Sequence, residues 1–176
     1  MTKLPRTIRL DPSDTLIYDP VAAPGEWAVP GGFSFGEEVP ETMPGKRRQA
    51  FRGGFLGLGS FGWSTLVEVA EASAAEREAA VAALAAHLRA EHGAPDDAAA
   101  LDAAEQEIAF AETLCDHPPG TLIALTRSIE EGDLRERFRT LHRRESEHRH
   151  FATLPVFALQ EEAPERPDLT RLGGAP

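Results

Sequence analysis

Apolar residues alternate with polar ones at both ends of this chain and step by three and four in its middle. Over 63–70, Trp63, Thr65, Val67 and Val69 share one face, the period of two that marks a half-buried strand. Thr121–Ser128 predicts a buried strand, because its Leu-Ile-Ala-Leu run is apolar on both faces. Between these strands the period changes. Ser73 and Glu76 make an S-x-x-E capping box. Val81, Leu84 and Leu88 then form a narrow stripe on a helix that runs to about Glu91. Gly93 stands where a helix end favours a left-handed residue, and Pro95 prevents resumption. A second helix over Asp97–Asp116 places Leu101, Ala104, Ile108, Ala111 and Cys115 along one face, widened by Phe110 and Leu114. The short link predicts an antiparallel pair, and the alanines permit close approach.

The flanks are richer in turns. Seven of the fourteen prolines fall in the first 45 residues, which excludes a long helix there. Thr7–Leu10 and Thr15–Tyr18 read as short strands around a tight turn at Asp11-Pro12-Ser13-Asp14. A third strand is expected over Glu26–Val29, resuming at Phe33–Phe35 after Pro30-Gly31-Gly32. Lys46–Phe55 predicts a short helix, followed by a glycine-rich stretch over Gly53–Gly62. Leu134–Leu141 is ambiguous. As a strand it aligns Arg135, Arg137 and Arg139, and as a helix it aligns Leu134, Phe138 and Leu141. A strand is favoured, because the Glu130-Glu131-Gly132-Asp133 turn joins it to a clear strand in a hairpin. Phe151–Gln160 reads as a last strand with Pro155 at an edge.

No repeat or linker divides the chain. The expected architecture is one α+β domain over residues 1–160, a mostly antiparallel sheet with the antiparallel helix pair on one face, and a flexible C-terminal tail over 161–176. The 41% hydrophobic content of 176 residues is ordinary for a globular domain. The lone Cys115 has no disulfide partner within the chain, and neither a signal peptide nor a long apolar run is visible. The reading is a cytoplasmic protein without a membrane partner.

Charge narrows the partners. The net charge of −11 argues against nucleic acid, which requires a basic footprint. Residues 68–116 hold twelve acids against two bases, Arg77 and Arg89, whereas 1–67 balance at seven each. This negative excess is either a solvated helical surface or a docking face for a basic partner.

Three constellations could carry chemistry. Gly57-Leu58-Gly59-Ser60-Phe61-Gly62 fits the G-x-G-x-x-G spacing, but a helix precedes it and a strand follows, the reverse of a dinucleotide loop. A packed turn accounts for it more simply. Lys46, Arg47, Arg48 and Arg52 lie without an intervening acid just before that loop. Together with Gly57, Gly59, Ser60 and Gly62 they make a candidate site for an anionic ligand, through guanidinium and backbone N–H donors, or else a solvated helix face. Cys115 and His117 could begin a metal site with His142, His148 and His150, yet Cys115 lies on an apolar helix face, where a core role is usual. The run 143–150 mixes both charge signs and reads as a solvated loop, and Trp27, Tyr18 and Phe33 read as core rather than as exposed anchors. No residue qualifies as catalytic, no metal site is assigned, and no cofactor is identified.

Several stretches carry a resemblance: Ile8-Arg9-Leu10-Asp11-Pro12-Ser13-Asp14, Pro24-Gly25-Glu26-Trp27-Ala28-Val29, Gly62-Trp63-Ser64-Thr65-Leu66-Val67, Leu114-Cys115-Asp116-His117-Pro118 with Gly120-Thr121-Leu122-Ile123, and Phe138-Arg139-Thr140-Leu141. The chain resembles, over most of residues 6–160, a family of small bacterial proteins carried as a domain of unknown function. That resemblance implies no activity. The expectation is therefore an accessory or interaction protein without catalysis, which self-associates or docks through its acidic helices. The alternatives are a binder or enzyme acting on a small anionic ligand at 46–62 and a metal protein built on Cys115 and His117.

Overall fold

The computed structural model describes residues 1–143 and 157–160. Strand β1 (Thr2–Ile8) is followed by a single helical turn, α1 (Asp14–Ile17), and a short strand β2 (Ala28–Val29). Two 3-10 turns, Gly32–Phe35 and Pro40–Thr42, lead into α2 (Gly45–Gly53). Strands β3 (Phe55–Gly57), β4 (Trp63–Ser64) and β5 (Leu66–Ala72) precede the helices α3 (Ala74–Glu91) and α4 (Asp97–Thr113), and β6 (Leu122–Glu130), β7 (Asp133–Arg143) and β8 (Phe157–Gln160) follow. One antiparallel sheet runs in the order β1-β5-β6-β7-β8 and a smaller one in the order β2-β3-β4. An isolated bridge from Arg6 to Trp27 ties them together. This is the α+β class expected, with the antiparallel pair of α3 and α4 packed against the sheet through α4.

The helix pair follows its local signals. Ser73 and Glu76 form both halves of the capping box, and Asp96 caps α4 by accepting from Ala99 N–H. Val81, Leu84 and Leu88 are buried as the stripe predicts. The face of α4 is narrower than expected: Ala104, Ile108 and Ala111 are buried, but Leu101 is 50% exposed, and the helix ends at Thr113. Leu114 and Cys115 reach the core from the turn beyond it. The β6–β7 hairpin resolves the ambiguity at 134–141 in favour of a strand, with Glu130 opposite Asp133 across the turn.

The opening of the chain departs from expectation. The first strand covers Thr2–Ile8 and includes Pro5, tolerated because β1 ends its sheet and needs a full ladder on one side only. Thr15–Tyr18 is not a strand. Ser13 N–H donates to Asp11 Oδ1 and Thr15 N–H to Pro12 O, so the turn winds onward into α1 instead of reversing into a hairpin. Phe33–Phe35 is likewise a 3-10 turn, entered through Gly31 at φ 75°. The strand read over 63–70 is two strands broken at Thr65, whose N–H and hydroxyl both donate to buried Asp14. The glycine-rich stretch holds a strand of its own, β3. α2 stops at Gly53, short of Phe55, which belongs to β3. Of the strand expected over Phe151–Gln160, β8 supplies the end, and 144–156 and the tail at 161–176 lie outside the described residues.

Candidate functional site

The loop from Gly57 to Gly62 closes the β3–β4 hairpin. Gly57 N–H donates to Gly62 O at 2.8 Å, and Gly62 N–H to Ser60 Oγ at 3.1 Å. The exposed tip turns two amides toward a single carboxylate: Gly59 N–H and Ser60 N–H donate to Glu26 Oε2 at 2.9 and 2.8 Å. Oε1 of the same side chain accepts from Ala23 N–H at 2.7 Å. Burial acts to raise the Glu26 pKa, but the bonds from Ser60, Ala23 and Gly59 outweigh it and hold the carboxyl below its ordinary range. Gly57 has a steric reason, since a Cβ there would stand 2.4 Å from Glu26 Oε2. The loop thus cradles an anion, and that anion is the chain's own Glu26.

The arginines of α2 turn elsewhere. Arg47 forks onto Glu38 and donates to Ser34 O, lying 5.1 Å over the Phe35 ring. Arg48 donates to Pro40 O and Met43 O, closing the 3-10 turn before the helix. Arg52 is exposed and has no polar partner among the described residues. No described hydrogen bond joins Arg47, Arg48 or Arg52 to the loop of Gly57, Gly59, Ser60 and Gly62.

Arg127, which motif reasoning passed over, lies at the centre of the fold. It projects from β6 with a fully buried guanidinium, and its Nε donates to Glu136 Oε1 on β7 at 2.9 Å. Nη1 donates to Ala50, Phe51 and Gly54 carbonyls at the end of α2, and Nη2 to Pro30 O. A cation on the last carbonyls of a helix complements its dipole. Phe35 and Trp63 lie over the guanidinium at 5.3 and 5.9 Å. Gly32 leaves room for the pair, since a Cβ there would meet Glu136 Oε1 at 2.6 Å. The arrangement fastens α2 and the segment at Pro30 to the main sheet. A signal was present: Ile123, Leu125 and Arg127 share a strand face, as do Glu136, Phe138 and Thr140, and the turn at 131–132 sets 127 opposite 136.

Cys115 and His117 do not converge. Cys115 is buried in the core beside Val67, Val69 and Ile123, and burial pushes its thiol up to about 12. The His117 carbonyl accepts from Lys3 Nζ, while its ring meets His142 edge-on at 6.1 Å. His148 and His150 lie outside the described residues, among which no group of three or more His, Cys, Asp or Glu converges on one point. Tyr18 is buried in the core as expected, and Phe33 and Trp27 pack against it while half-buried.

The outer surface of the helix pair carries the charge excess. Glu76, Glu78, Glu91, Asp97, Asp102 and Glu105 are exposed. The two bases of this segment are engaged within it: Arg77 with Glu105 and Glu112, and Arg89 with Asp97.

The chain belongs to a family described as a family of unknown function, DUF6505, whose model matches residues 1–158. Neither the curated proteins nor the solved structures contain a match. Among the described residues, no helix is long and apolar enough to cross a membrane.

Proposed function

We propose that this member of a family of unknown function is a non-catalytic interaction module that docks a basic partner through the outer face of α3 and α4. One observation carries this reading: the exposed carboxylates there have few cations beside them, because Arg77 and Arg89 are already paired within the helix pair. Such a face attracts a basic surface at long range and loses its pull within ~8 Å at physiological salt. Native mass spectrometry of the protein gently isolated from its source tests the reading, alongside Glu78→Gln/Asp102→Asn/Glu105→Gln. The expected result is a stoichiometric second chain at low salt that dissociates at high salt and is lost from the variant. A bare single chain overturns the interaction reading, and a partner retained by the variant overturns the acidic face.

A second reading has one observation in its favour. The 57–62 loop aims two amides at a carboxylate, and Arg52 remains exposed nearby in sequence, so an external anion could take the place of Glu26. This is the small-ligand alternative; of its three arginines, Arg47 and Arg48 are engaged by Glu38 and by the carbonyls before α2, which leaves Arg52 as the cation it would draw on.

A further inference from the structure

The C-terminal end of α3 brings two imidazoles together. His87 lies on the last turns of the helix and His92 is its C-cap residue, with Nε2 facing Nε2 at 3.2 Å. The ring centroids are 4.9 Å apart and the rings are inclined at 62°. A straight hydrogen bond of that length would put the centroids ~5.5 Å apart. Two Nε2 atoms each ~2.05 Å from one tetrahedral ion would stand ~3.3 Å apart, with centroids ~5.2 Å apart. At 4.9 Å the observed centroids are closer together than a straight hydrogen bond gives, and nearer to the separation set by a shared ion.

Both rings are held from outside. Phe61 stacks on His87 at 3.8 Å and 6°, and Phe33 meets His92 edge-on at 5.2 Å. Phe61 does this from a left-handed backbone at φ 53°, a conformation with a cost for a non-glycine residue. Metal-binding imidazoles owe much of their affinity to groups that fix the ring. Glu91 stands one helical turn after His87 and adds a carboxylate to the neighbourhood.

We propose that His87 and His92 form a two-imidazole site for a late first-row divalent cation such as Zn2+, the remaining coordination positions being open to water or an outside ligand. Imidazole nitrogen suits ions of this class, and two protein donors leave the site exchangeable rather than structural. Partial desolvation lowers the pKa of both histidines, assisted by His92 acting on His87 and by Arg47 acting on His92, against the opposing pull of Glu91. The ion would also clamp the tip of the 57–62 loop to the helix pair through the Phe61 stack.

Titration of the full chain with Zn2+ at pH 7.5, followed by calorimetry and by histidine side-chain nitrogen NMR, tests the site. One Zn2+ per chain is expected, with the largest nitrogen shifts at His87 and His92. Affinity should fall at least tenfold in His87→Ala and in His92→Ala, and stay unchanged in His117→Ala. His92 is exposed, so His92→Ala decides the matter even if loss of the Phe61 stack unsettles His87→Ala. The proposal is overturned by absence of saturable binding, by unchanged affinity in His92→Ala, or by loss of binding in His117→Ala.

Discussion

Glu26→Ala isolates the one contact that organises the 57–62 loop. The carboxylate accepts three backbone N–H bonds, from Ala23, Gly59 and Ser60. A hydrogen bond to a charged group contributes ~1.5–3 kcal/mol net, but three bonds to one carboxylate share its desolvation, and water reaches part of this site. We expect a loss of about 2–3 kcal/mol, roughly 4–12 °C in Tm for a domain of this size. Glu26→Gln keeps one acceptor oxygen and should lose about half as much. The pH dependence has a definite sign. The folded carboxyl lies below its ordinary 4.5, so its contribution is fully present above that value and disappears as pH falls through the folded pKa. The gap between wild type and Glu26→Ala should therefore be widest near pH 7 and shrink in acid. Thermal unfolding from pH 7 to pH 3 measures the gap, and amide hydrogen exchange measures the loop, where Ala23, Gly59 and Ser60 should lose protection together. A gap independent of pH, or unchanged exchange at Gly59 and Ser60, refutes this account. The same variant tests the ligand reading: inorganic phosphate should restore protection to those two amides, and no restoration at tens of millimolar removes it.

Three further outcomes follow from burial. Arg127→Met removes the cation facing buried Glu136 and four donor contacts to carbonyls, and should cost ~3–5 kcal/mol by denaturant unfolding, more than Glu136→Gln, which leaves the guanidinium on those carbonyls; the reverse order would show that the carbonyls do not hold the arginine. Cys115, 1% exposed with its thiol pushed up to about 12, should resist a thiol-specific disulfide reagent at pH 8 in the native protein and react fully once unfolded. Leu101→Glu should change stability by less than ~0.5 kcal/mol, while Ile108→Ala on the buried face should cost ~2–4 kcal/mol in the same unfolding assay.

What could be read from the sequence divides by the range of the interaction. The boundaries of α3 came from Ser73, Glu76 and Gly93, all within a turn of the helix ends, and the β6–β7 hairpin from a Glu-Gly turn beside it. The misread opening fails for the complementary reason. Whether Asp11-Pro12-Ser13-Asp14 reverses the chain or winds into α1 is decided by Asp14 accepting from Thr65, fifty-one residues away. The loop shows the same principle at a candidate site. Its glycine spacing marks a backbone able to cradle an anion, but that the anion is Glu26 depends on contacts across thirty-three and thirty-four residues, with no local trace. The buried pair lies between these limits. Arg127 and Glu136 occupy inward positions of two adjacent strands, and a turn legible in the sequence sets their register, so the ion pair was derivable once the hairpin was accepted. Charges in phase with the apolar face of a hairpin are therefore the signal to pursue in such chains, because burial in a shared strand face requires the two to answer each other.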